Sequence, residues 1–243
     1  MKEEIFSEKA DIETSSEDYA KRFSGEVGKY FLDTQAKLTL ELIKDMPHAS
    51  VLDVGGGHAQ LAVPLVQNGY KVTVVGSDDV CRQRLDKFLP EGTFRYETCN
   101  LLNLPFEDNS FDIVMAFRLI THEKNWKLQI KEMCRVAKKV VIIDYPDLRS
   151  FNIFYKYLFK TKKSFEKNTR TFRSFYRKEL LDVFAENNCG NPVFKPQFFL
   201  PMVVHRALKN VKISKFAETL FSLVGLTKFF GTPIILKVVK NKQ

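Results

Sequence analysis

The stretch Ser50-Val51-Leu52-Asp53-Val54-Gly55-Gly56-Gly57-His58 decides how the rest of the chain is read. An aliphatic run ending on consecutive glycines is a buried strand that enters a tight turn. Without a Cβ, the glycines let a ligand approach the backbone. The following helix, marked by Leu61, Val63, Leu65 and Val66, offers free N–H groups at its start. Asp53 lies inside the strand, two residues before the glycines, where it repels a pyrophosphate and attracts an ammonium group. The dinucleotide pattern G-x-G-x-x-G is broken, because Gln60 stands in place of the third glycine. The turn therefore suits a cationic ligand that carries no phosphate.

Working outward, apolar spacing predicts helices over residues 33–44, 80–89 and 127–137, and strands over 71–75, 93–98, 111–116 and 140–144. Strands alternating with helices of this length imply right-handed crossovers and an α/β, doubly wound, mostly parallel sheet. In such sheets ligands bind beyond the carboxyl ends of the strands, where strand order reverses. The glycine turn after the first strand lies at that position.

The chain has 243 residues, 44% of them apolar and 28% charged, which excludes a disordered or fibrous protein. Its net charge of +9 divides unevenly. Residues 1–147 carry 19 basic and 24 acidic side chains, and residues 148–243 carry 19 basic and 5 acidic ones. An anionic partner is thus to be sought at the C-terminal part. The four cysteines, Cys81, Cys99, Cys134 and Cys189, are too widely spaced for a metal cluster and read as reduced thiols. With no apolar leader and no run near the length of a spanning helix, a cytoplasmic protein is expected.

The segment VLDVGGGHA resembles the first motif of class I S-adenosylmethionine (SAM) dependent methyltransferases. Asn103-Leu-Pro-Phe-Glu-Asp-Asn-Ser-Phe-Asp-Ile-Val resembles the approach to the fourth strand in the small-molecule and quinone-type branches of that family. The resemblance covers residues 50–144 and implies a seven-stranded Rossmann-like sheet with SAM as cofactor. Residues 1–47 would form a helical lid segment, 48–147 the SAM-binding core, and 148–243 helical insertions with the last two strands, over 193–200 and 233–239, the first of them preceded by a helix with Ser174 as its N-cap. By the same resemblance Asp53, Gly55, Gly56 and Gly57 face the methionine moiety. Asp78 holds the ribose or, alternatively, only caps the next helix. Asn100 stands where relatives have an adenine-binding Asp, with the Leu101 N–H beside it and Phe117 near the cofactor. From the lid, Arg22 pairs with the SAM carboxylate and Tyr19 or Tyr30 closes over it, unless the segment is merely a surface helix.

Methyl transfer is an in-line displacement that needs chiefly alignment and exclusion of water. His122 is the candidate base, with helix capping or packing as its alternative role, and Asp144 is either a substrate contact or a turn former before Pro146. In the basic part, Phe151, Phe154, Tyr155, Leu158 and Phe159 share one helical face, with Lys156 and Lys160 elsewhere. Such a helix suits an anionic membrane surface. Its alternative role is ordinary packing. The long connection after residue 200, carrying His205 and Arg206, is expected to form two helices and, with the basic insertion, an apolar cavity rimmed by cations. His205 and Arg206 are candidate contacts to an acceptor phosphate or carboxylate. Three functions fit: methyl transfer to a hydrophobic small molecule or lipid, methyl transfer to RNA, and a non-catalytic scaffold. RNA is disfavoured because Ala116-Phe-Arg-Leu replaces the N/D-P-P-Y/F tetrapeptide of nucleic-acid amino-methylating branches.

Overall fold

In the computed structural model, residues 10–150 and 173–241 are described. Lys156, Lys160 and the basic amphipathic helix expected around them lie outside the described residues. The strand predicted from the opening stretch is β1 (Ser50–Val54), and Val51, Leu52 and Val54 are fully buried because sheet covers both edges and helices cover both faces. It pairs in parallel with β2 (Lys71–Gly76) on one side and β4 (Phe111–Ala116) on the other. With β3 (Phe94–Thr98), β5 (Ala137–Tyr145), β6 (Cys189–Phe198) and β7 (Thr232–Lys240), the sheet order is β3-β2-β1-β4-β5-β7-β6. Only β7 runs antiparallel to its neighbours, and strand order reverses at β1.

Alternate residues of the strands feed two cores. Leu52, Val54, Val114 and Ile143 pack under α6 (Trp126–Val136) and α7 (Arg177–Glu186). Val51, Val74, Met115 and Ile142 pack under α3 (Gly25–Ile43), α4 (Ala62–Gln67) and α5 (Gln83–Phe88). The period of two in these strands is what sends neighbouring residues to opposite layers.

Several boundaries differ from the sequence expectation. The helix expected from residue 33 begins at Gly25, and in its first turn Gly28 lies so close to the Phe23 backbone that a Cβ would overlap it. The helix expected over 80–89 opens as a 3-10 turn, Asp79–Arg82, before α5. Ser174 is not an N-cap: α7 starts at Arg177 with Tyr176 in the capping position. Two short helices, α1 (Ala10–Thr14) and α2 (Glu17–Lys21), precede α3. Between β6 and β7 lie α8 (Met202–Leu208), α9 (Val211–Leu223) and α10 (Leu226–Phe230).

Candidate functional site

Asp53, one residue before the end of β1, is only 2% exposed, and burial pushes its carboxyl up to about 7. Among the described residues no positive charge offsets that cost. Gly56 touches it so closely that a Cβ there would overlap the carboxylate, and Gly55 takes a left-handed φ of +72° with the Leu119 side chain against it. Asp53, Gly55, Gly56 and Phe117 line one cavity together with His58, Thr14, Tyr19 and Arg118. The sequence expectation for the glycine turn and Phe117 therefore converges on one place, with Gly57 packed beside it under Ser15.

The ribose side of that place differs from expectation. β2 ends at Gly76, where a Cβ would overlap the Tyr96 hydroxyl, so no acidic side chain fits at that position. Asp78 caps instead: its carboxylate accepts from Val80 N at 3.1 Å at the start of the 3-10 turn. The carboxylate found at the end of β2 belongs to Asp11 of α1. It is fully buried and accepts from Ser77 N and Ser77 Oγ, each at 2.6 Å, with Cys81 Sγ at 3.4 Å. Beside it, Ala10 joins the core that contains Leu101 and Leu119. This short helix leaves a residual cavity about the size of one water.

His58 follows the glycines and was given no role by the sequence pattern. It is 7% exposed, its ring lies edge-on to Tyr19 and Phe23 at 5.7 Å each, and neither ring nitrogen has a hydrogen-bond partner. Burial first, then the charges of Arg118 and Arg84, hold it down to about 3, so it is neutral at physiological pH. Arg118 also adopts a positive φ of 58°, and its guanidinium stacks 3.9 Å from the Phe23 ring. Asp144 fixes that conformation: its carboxylate accepts from Arg118 N at 2.5 Å and from Gln35 Nε2 at 3.1 Å, while Gln35 Oε1 accepts from Arg118 at 3.2 Å. Asp144 is thus spoken for by the chain rather than presented to a substrate. Burial raises its pKa against the pull of Arg118.

The remaining candidates disperse. The Asn100 amide oxygen accepts from Leu102 N at 2.9 Å in an exposed turn, so the acceptor expected for adenine is taken up locally. Leu101 is buried in the core. His122 closes the 3-10 turn Ile120–His122 half-buried, outside the residues that line the cavity. Tyr30 faces the C-terminal insertion, against Phe198 and His205, so Tyr19 rather than Tyr30 reaches the cavity. Arg22 lies 3.7 Å from Glu13 and lines an outer pocket with Arg206 and Lys209. His205 is fully buried and its Nε2 sits 3.0 Å from Glu218 Oε1, a structural tie in place of the expected substrate contact. Among the described residues no group of His, Cys, Asp and Glu could hold a metal.

Comparison with known proteins agrees with the sheet and the glycine turn. Residues 52–143 match the family model described as a methyltransferase domain. This part of the chain is a class I methyltransferase domain. The chain is 30% identical over 121 residues to the 2-phytyl-1,4-naphtoquinone methyltransferase of Nostoc punctiforme, covering 44% of this chain and 53% of that one. It is 32% identical over 119 residues to a ubiquinone/menaquinone biosynthesis C-methyltransferase of Legionella pneumophila, covering 45% and 48%. The chain thus spans about half the length of the curated relatives it matches. Magnesium protoporphyrin IX methyltransferase from Synechocystis, solved with bound SAH, superposes with a TM-score of 0.62 at 14% identity over 94% of this chain and 97% of that one. Asp53 and the glycine turn fall within the matched residues. The relatives do not account for Asp11, whose place at the end of β2 rests on the geometry alone.

Proposed function

We propose that the chain transfers a methyl group from SAM to a hydrophobic small molecule or lipid. The observation that carries the reading is Asp53: a buried carboxylate, raised for want of a cation, beside a glycine that alone leaves it room. An α-ammonium group is the complement such a site lacks. Asp53 and the backbone of Gly55 to Gly57 would hold the methionine moiety, and Phe117 would lie along the cofactor. Bound SAM supplies a methyl carbon activated by a sulfonium. The chain supplies alignment and dryness: Tyr19, Phe23 and neutral His58 make an aromatic roof, and Arg118, held by Asp144 and Gln35, braces Phe23 from below. Cofactor admission requires α1 to leave the end of β2, since Asp11 occupies the space beside Ser77.

The relatives that act on naphthoquinone and ubiquinone or menaquinone precursors, by their names, support an apolar acceptor. Calorimetry with SAM tests the reading. Binding is expected in the wild type and lost in Asp53→Ala. The raised Asp53 pKa gives the sign of the pH dependence: the carboxylate forms as pH rises through about 7, so affinity is expected to strengthen from pH 6 to 8 and Asp53→Asn to remove that slope. No binding by either the wild type or Asp11→Asn would overturn the assignment of Asp53 and the glycine turn to SAM.

A further inference from the structure

The insertion between β6 and β7 is amphipathic in the reverse sense. On α9, Ser214 and Glu218 face inward, buried at 0% and 6% exposure. Glu218 accepts from Phe199 N at 2.8 Å and Leu200 N at 2.9 Å, besides its contact with His205. The outward face carries Ile213, Phe216, Leu220 and Leu223, spaced i, i+3, i+7 and i+10, and α10 adds Phe229 and Phe230. Phe216 is 73% exposed and Leu223 80%. The expected apolar cavity also drew on residues 151–172, which lie outside the described residues; behind the outward face, Phe221 packs on the aromatic ring of Phe199, 4.5 Å away.

Charge completes the pattern. Residues 201–231 contain Arg206, Lys209, Lys212, Lys215 and Lys228 and one acid, Glu218, which is buried. On a helical projection, Lys212 borders the apolar stripe of α9, and Lys215 lies further round on the same side, its Nζ 5.4 Å from the Tyr30 ring. The solvent-facing surface of the insertion is thus apolar with a cationic border and without a carboxylate from its own residues. A protein partner would need a matching groove. A bilayer with anionic headgroups needs only this: side chains that enter the acyl boundary and lysines that stay at headgroup level. Among the described residues no helix is long and apolar enough to cross a membrane, so contact would be along the surface.

We infer that the outward face of α9 and α10 docks the protein on an anionic lipid bilayer. This deepens the proposed reading by naming where an apolar acceptor is met, and it stands on geometry independent of SAM binding. The insertion also reaches the site: the Arg206 guanidinium lies 5.9 Å from the Phe23 ring, the same ring that stacks on Arg118.

Flotation of the full chain with phosphatidylcholine vesicles, with and without 25 mol% phosphatidylglycerol (roughly a biological anionic fraction), tests the inference. The wild type is expected to float with the anionic vesicles, at least about tenfold more than with neutral ones, and to be released by high salt. Phe216→Ser with Leu223→Ser is expected to sediment, and so is Lys212→Glu with Lys215→Glu. Unchanged thermal unfolding and unchanged calorimetric SAM binding identify folded variants with an intact cofactor site. Wild type that stays at the bottom of both gradients overturns the docking, as does equal flotation of the serine variant. Sedimentation velocity that finds a wild-type dimer and a serine-variant monomer, with no flotation, assigns the face to self-association and also overturns it. Loss of SAM binding by wild type that still floats would sink the enzymatic reading and leave this one standing.

Discussion

The core and the insertion solve opposite problems with the same residue types. Around β1 the chain buries Val, Leu and Ile together with one carboxylate, Asp53, that no cation among the described residues offsets. In α9 it buries a carboxylate that it satisfies completely from its own backbone and His205, and leaves Phe and Leu outside. The difference lies in the complement: among the described residues Glu218 meets its donors within the insertion, whereas Asp53 meets no cation and the outward face of α9 no apolar cover. The contrast teaches that burial alone does not mark a site. What matters is whether the buried group has found its complement.

Three substitutions press on that contrast. Glu218→Ala removes a buried side chain that accepts from two backbone N–H groups and contacts His205, and is expected to cost about 3 kcal/mol or more, read as a lower urea midpoint. A loss below about 1 kcal/mol would mean that the insertion is not anchored by this tie. Asp11→Asn weakens the hold of α1 on Ser77 and is expected to tighten SAM binding about tenfold, equivalent to about 1.4 kcal/mol. Weaker binding in that variant would show instead that Asp11 serves the cofactor and does not compete with it. Leu220→Ser, on the exposed face, is expected to change stability by no more than about 0.5 kcal/mol. A large loss there would return the face to the core.

The central sheet was legible because its signals are local. The strand expected over 111–116 is β4 to the residue, and the helix expected over 127–137 is α6 within one residue at each end. Both stand between unambiguous turn residues and follow a single period. Asp53 and the glycines were legible for the same reason. Asp11 was not: α1 has five residues, too short for a periodic signal, and its meaning comes from Ser77, far along the chain. His58 stood in plain view after Gly57, yet its burial depends on Tyr19 and Phe23 closing over it. In the insertion the apolar residues were visible, but their direction was not, because it is Glu218 that chooses the inward face of α9. Placing an acid on the inside contradicts the usual weighting of helix faces.

The Glu218 tie also bears on modularity. Its acceptor, its two backbone donors and His205 all lie between Phe199 and Glu218, so the orientation of α8 relative to α9 is written within the segment that forms them. The clasp holds the hairpin to itself, while Tyr30 and Phe31 of α3, packed on His205, seat it on the rest of the fold.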